Sequence, residues 1–205
     1  MLATCKLLSK LNSTLSKFNQ TMAKSKFEYV KSFETDDNLL PNCWIVVKVA
    51  GKNFTKFTWD HDFERPNDRR ALDLMNRAAV WVMQEFNNVS LAYGKSDEYS
   101  FVFRKTTDAY HRRGFKFVTH VSSLFSTSFV YHWHEYLKCT LKYPPVFDTQ
   151  LFLIPADDNL KDYLCWRQHE CHVNNLYNTT FWMLVNRGNV NMEDVNCLNI
   201  LFMKL

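Results

Sequence analysis

Two short stretches of this sequence carry the residue types that handle phosphate and metal. AYGKSDEYSFVF sets Asp97 and Glu98 in a tight turn between two apolar runs. VVKVAGKNF ends an apolar run on Ala50 and Gly51, followed at once by Lys52, Asn53 and Phe54. Two-metal phosphoryl or nucleotidyl transfer needs carboxylates that hold Mg²⁺ ions about 3.5–4 Å apart, bridging attacking and leaving oxygens. Asp97 and Glu98 are suitable donors. Gly51 lets a backbone carbonyl or N–H approach a phosphate or metal closely, and Lys52, Asn53 and Thr55 add donors at the same edge. Such a strand exit usually also carries a carboxylate for the metal; here that position is Ala50. Taken singly, each stretch also fits an ordinary hairpin turn or strand exit, so the elements must bring them together.

Ile45 to Val49 reads as a buried strand. A helix follows Pro66, capped by Asn67 or Asp68, with Ala71, Leu74, Met75, Ala78, Val82 and Phe86 on its apolar face. Val89 to Tyr93 and Glu98 to Phe103 read as a hairpin around GKSD. A longer helix is predicted from about Asp108 to Leu137, with Phe117, Val121, Leu124 and Ser128 along one face. TQLFLI is a further strand after Tyr143-Pro144-Pro145. Asn159 to Glu170 and the NTTFWMLV stretch are predicted as separate helices. The order β-α-β-β-α-β predicts an α+β, ferredoxin-like (split βαβ) domain, an antiparallel sheet with helices on one face plus extra C-terminal helices. In that topology the first strand lies beside the third, so Ala50-Gly51 meets Ser96-Asp97-Glu98.

The 205 residues are 46% hydrophobic with a formal charge of +4, which fits one cored domain and allows an anionic partner such as RNA. No apolar run approaches the ~20 residues of a membrane span, so no membrane partner is expected. Six cysteines are scattered without a C-x-x-C pair, and Cys165 with Cys171-His172 matches no common zinc spacing. Five lysines precede the first acid, Glu28, in a segment rich in Ser, Thr and Asn. That segment resembles a mitochondrial presequence, although it lacks arginine; cytoplasm or nucleus is the other expected location. Arg112, Arg113 and Lys116, and Arg167 beside Trp166, offer a basic, aromatic surface for RNA phosphates and stacking.

The stretches MAKSKFEYVKSFE, GKNFTKF, RPNDRRALDLM, AYGKSDEYSFVF, FVTHVSS, YPPVFD and LKDYLCWRQHECHVNNLYNTTFW resemble, in order, the tRNA-histidine guanylyltransferase family. The resemblance implies a polymerase-palm-type domain over 22–185, an N-terminal extension over 1–21 and a divergent, shortened tail over 186–205. It implies addition of GMP to the 5′ end of tRNA for histidine: ATP adenylylates the 5′-monophosphate, and the 3′-hydroxyl of GTP then displaces AMP. Two Mg²⁺ ions and a homotetramer are further implications. By the same resemblance, Asp97 is a metal carboxylate, Gly51 a backbone-carbonyl ligand, and Glu98 a supporting acid. Ala50, Gly51, Lys52, Asn53, Phe54, Thr55, Ser96 and Asp97 match the GTP-binding loops. Arg65 and Asn67 fall where phosphates approach, and His172, Asn175 and Asn178 where activation or tRNA handling occurs. The family writes Asp-Gly where this chain writes Ala50-Gly51, so the first metal carboxylate is missing. An impaired, non-catalytic RNA-binding or assembly subunit is therefore the rival expectation.

Overall fold

In the computed structural model, residues 26–187 are described. The N-terminal lysines before residue 26 and the tail beyond Arg187 lie outside them. The chain divides into two compact units, Met1–Asp37 and Asn38–Leu205. Among its described residues the first contains a 3₁₀ turn, Glu28–Phe33. Everything that follows belongs to the second.

Alternating side chains build the sheet from its centre outward. β1 (Trp44–Gly51) sends Ile45, Val47 and Val49 to one face and Val46 to the other, all fully buried. A strand apolar on both sides must be covered on both sides. α1 (Phe54–Asp60), a seven-residue helix absent from the sequence prediction, follows directly. α2 (Arg69–Glu85) starts at Asp68, whose carboxylate accepts the Arg70 N–H, and buries Ala71, Leu74, Met75, Ala78 and Val82. β2 (Val89–Lys95) and β3 (Glu98–Phe103) form the hairpin around Ser96-Asp97. α3 (Gly114–Leu137) buries Phe117, Val121, Phe125 and Phe129. β4 (Phe147–Ile154) completes the sheet, and α4 (Asp157–Arg187) closes the described chain.

The strand order β2-β3-β1-β4, antiparallel throughout, places the first strand beside the third as the topology requires. α2 and α3 cover one face, where Val47, Val49, Phe101 and Phe103 meet their apolar stripes. α4 covers the other through Tyr163, Leu160 and Leu164 against Val46, Val102 and Phe152. Fully burying each large apolar side chain contributes about 1.5–3 kcal/mol, so this double-sided packing fixes the sheet edge that carries the site.

Two helix boundaries differ from the sequence reading. Tyr110, His111 and Arg112 all have positive φ, so residues 109–112 form a kinked 3₁₀ segment and α3 begins only at Gly114. The two expected C-terminal helices are one continuous helix of 31 residues. Among the described residues, no helix is long and apolar enough to cross a membrane.

Candidate nucleotidyl-transfer site

The strand register joins the two stretches of sequence at one sheet edge. Ala50 lies directly opposite Glu98 on one side and Asp148 on the other. The Gly51 N–H donates to the Asp97 carbonyl at 3.1 Å, and the Lys52 N–H to the Val146 carbonyl at 2.7 Å. Neither amide is left to cradle a phosphate. Gly51 also has a steric reason to be glycine. A Cβ there would sit 2.4 Å from Cδ2 of Phe54, whose ring stacks on Phe57 and packs against Phe129 and Phe147. The glycine makes room for an aromatic plug that docks α1 on the core. Gly94 does the same for Tyr99, whose ring would lie 2.3 Å from an added Cβ.

Asp97 is half-buried at the turn. Burial raises its carboxyl above the usual range; hydrogen bonds from the turn's backbone and Ser96 oppose this, and Glu98 reinforces it. Ser96 takes a φ of 49° as the first residue of the two-residue turn. Glu98 faces the other way, under α4. It meets Lys48 at 3.9 Å, Lys95 at 3.5 Å and Arg167 at 3.2 Å. Arg167 and Lys95 also hold Glu170, at 2.9 and 2.8 Å. Arg167 is 3% exposed and lies 3.5 Å over the Trp166 ring. It is a buried clasp between α4 and the sheet, so its expected place on a tRNA-binding surface is corrected: a buried guanidinium between two carboxylates cannot reach a nucleic acid.

Arg112 is corrected on similar grounds. Its guanidinium donates to the carbonyls of Leu39, Leu40, Cys43, Lys105 and Thr107, tying three loops together. Lys116 is exposed and Arg113 half-buried at the start of α3, so of the four basic residues Lys116 has the free reach expected.

Two cavities open beside the Ser96-Asp97 turn and share Asn67, Ser96, Asp97 and Asn178 in their walls. The smaller, about 230 Å³, is lined by Phe54, Thr55, Arg65, Asp68 and Trp182 as well. Arg65 sits 4.3 Å over the Trp59 ring and 5.7 Å from Trp182, and donates to Thr58 Oγ1 at 3.1 Å. Its Nη2 is enclosed without a protein partner among the described residues. The rest of the Arg65 side chain lines the cavity, while this nitrogen is shielded from solvent. The larger cavity, about 670 Å³, runs along α4 past Asn175 and between Lys95, Glu98 and Tyr99. The Asn67 amide donates to Asn175 at 3.0 Å and bridges the loop before α2 to α4. Lys52 and Asn53 line a separate hollow with Tyr143 and Pro144, and the exposed His172 lines neither cavity. Trp59, Trp182, Asn76 and Asn174 escaped the sequence reading, whereas Asn67, Asn175 and Asn178 were named there. The signal for Trp182 was its spacing from Asn175 and Asn178, which puts all three on one helix face.

The donor set does not fit a pair of Mg²⁺ ions. Ala50 brings no oxygen on its side chain, Glu98 is claimed by three cations, and Asp97 and the exposed Asp148 are the carboxylates left near this edge. Among the described residues no group of three or more His, Cys, Asp or Glu side chains is placed to hold a metal.

The family model described as tRNAHis guanylyltransferase matches residues 27–155. The chain belongs to this family. A second model, described as the Thg1 C terminal domain, matches residues 158–200, past the point where the quoted likeness of motifs stops. The probable tRNA(His) guanylyltransferase of Drosophila melanogaster is 60% identical over 164 residues, 80% of this chain and 57% of that one. The tRNA(His) guanylyltransferase of Schizosaccharomyces pombe is 56% identical over 82% of this chain and 64% of its own length. The chain therefore spans less than two thirds of these curated relatives. The crystal structure of the Saccharomyces cerevisiae guanylyltransferase superposes with a TM-score of 0.79 at 39% identity, covering 83% of this chain and 76% of that one. A bacterial Thg1-like protein in complex with GTP shares the fold, with a TM-score of 0.66 at 18% identity over 85% of this chain and 79% of its own.

Proposed function

We propose that this guanylyltransferase-family chain binds tRNA for histidine together with GTP and ATP, and adds GMP to the RNA 5′ end after ATP-dependent activation of the 5′-phosphate. The observation that carries the reading is the smaller cavity, where Arg65 lines one volume with Thr55, Ser96, Asp97 and Asn178. Arg65 offers a planar, permanently charged donor for phosphate oxygens, and Trp59 beneath it fixes its plane. Ser96, Thr55 and Asn178 offer neutral donors around the same volume, which orient a phosphate without adding charge. Asp97 accepts protons or cations at the turn. Family membership supports the choice of tRNA, GTP and ATP as ligands, and a tetramer as the assembly.

Ala50 favours a second reading, in which the chain binds these ligands but transfers GMP poorly and acts as an RNA-binding or assembly subunit. Both readings are tested together. GTP and tRNA binding are titrated separately, and label from α-labelled GTP is followed onto 5′-monophosphorylated tRNA for histidine. Binding of both ligands with measurable transfer supports the enzyme; binding without transfer supports the subunit. Absence of both bindings overturns the assignment.

A further inference from the structure

We infer that the segment following α4 folds back as a helix over about 192–205 and docks on an apolar stripe along the outer face of α4. The inference is independent of the function proposed above. It names the partner of a surface that the described residues leave open, directly behind the wall that α4 gives to both cavities.

Two opposite faces of α4 carry different chemistry. Beyond the Arg167 clasp, Asn174, Asn175, Asn178 and Trp182 share one face and line the cavities. Val173, Leu176, Met183 and Leu184, with Thr180 between them, share the other. Leu176 is 59% exposed and Leu184 39%, and Val173 and Met183 are equally open. Single exposed apolar residues are ordinary, but a row of them along one helix stripe marks a contact surface. The stretch ECHVNNLYNTT is also rich in poor helix formers, so packing on the cavity side alone is a weak hold for it.

The sequence that follows supplies the matching half. Gly188 stands directly after Arg187, where glycine suits the left-handed residue that ends a helix. Residues 188–191 are enough to reverse the chain, since antiparallel helices are joined by loops of about 2–5 residues. Asn191 can cap the helix that follows; Glu193 and Asp194 fall in its first turn and Lys204 in its last, the order a helix dipole favours. Val195, Leu198, Leu201, Phe202 and Leu205 then lie on one side, with Glu193, Asn196, Ile200 and Lys204 on the other. Such a helix would run about 21 Å, and the α4 stripe from 173 to 184 is about 17 Å long, at 1.5 Å per residue. Reversal at 188–191 sets Val195 against Leu184, Leu198 against Thr180, Phe202 against Leu176 and Leu205 against Val173, so the two stripes meet in register. The tether favours this occupant over a second copy, because a short linker gives an effective concentration of about millimolar.

The test uses the full chain with its six native cysteines replaced by serine. Leu176→Cys with Phe202→Cys, a pair far from the reversal, is expected to close an intramolecular disulfide under mild oxidation, read as a faster-migrating monomer on a non-reducing gel. Leu176→Cys with Lys204→Cys, on the far side of the second helix, should close about tenfold more slowly. In the unmodified chain, Phe202→Asp should lower the melting temperature by about 4–8 °C, whereas Ile200→Asp should leave it within about 1 °C. Disulfide-linked dimers in place of the closed monomer would make a second copy the occupant and overturn the inference. No closure, equal closure by both pairs, or a melting temperature unmoved by Phe202→Asp would each overturn it as well.

Discussion

Gly51 and Asp97 are hydrogen-bonded through their backbones at 3.1 Å, although the sequence separates them by more than forty residues. The bond fixes the turn against the strand exit, so side chains at positions 50 and 97 share one edge. With aspartate at 50, that edge would gain a carboxylate beside Asp97; alanine leaves that place without an oxygen.

Ala50→Asp should therefore raise divalent-cation affinity and GMP transfer together. Losing one preorganised electrostatic partner typically costs about 10²–10³ in rate, and the substitution should recover a gain of that order. Manganese binding followed by electron paramagnetic resonance, alongside labelled GTP incorporation, gives the two readouts. Full transfer by the Ala50 chain, with no gain from aspartate, would refute the metal argument.

Gly51→Ala should destabilise the fold by about 1–3 kcal/mol, because the added methyl overlaps the Phe54 ring and the ring has Phe57, Phe129 and Phe147 behind it. Denaturant melts measure this directly. Phe54→Ala in the same background should make the two effects strongly non-additive, since the clash disappears with the ring.

Arg167 and Lys116 should separate cleanly. Arg167→Ala leaves Glu98 and Glu170 short of a buried partner and removes the stack on Trp166, at a cost of about 3 kcal/mol in stability. Lys116→Ala should leave the melting curve unchanged and reduce the salt slope of tRNA binding by about one unit, as loss of one phosphate contact does. A stable Arg167→Ala protein with a reduced salt slope would reverse the correction made for that residue.

Asp68 gives a pH signature. Burial acts to raise its carboxyl, but the Arg70 side chain, together with N–H donors from Glu64 and Arg70, overcomes this and holds it below the ordinary range. A depressed carboxyl contributes stability above its unfolded pKa, about 3.9, and loses it as pH falls through the folded value. Asp68→Ala should cost about 1–2 kcal/mol at neutral pH, with the gap to wild type closing below about pH 4. A gap that persists to the acid limit would show that the cap acts without its charge.

The continuous apolar runs of β1 and β3 and the apolar stripe of α2 made the sheet and its strand order legible, because burial on both faces leaves an unbroken run and burial on one helix face leaves a period. α1 left no such trace: FTKFTWD is too short to show a helical period and rich in residues that also suit strands. α4 was divided in two because ECHVNNLYNTT holds asparagines, threonines and a valine, poor helix formers whose cost the packing of the first half must offset. Asp97 and the Ala50-Gly51 edge were legible from type and topology together. Arg112 and Arg167 were not, since a guanidinium looks the same in sequence whether it meets solvent, five carbonyls or two carboxylates. The stretch that names them says nothing about which way they turn.

α4 is unbroken from the Arg167 clasp to Trp182, a distance of about 22 Å at 1.5 Å per residue. Its first half is pinned to the sheet through the Arg167–Glu98 ion pair. A tilt of about 5° at the clasp would displace the Trp182 end by about 2 Å, enough to widen or shut the space around Arg65. The ion pairs at Glu98 and the Trp182 wall of the smaller cavity therefore stand on one rigid element, so the sheet edge sets where that aromatic wall lies.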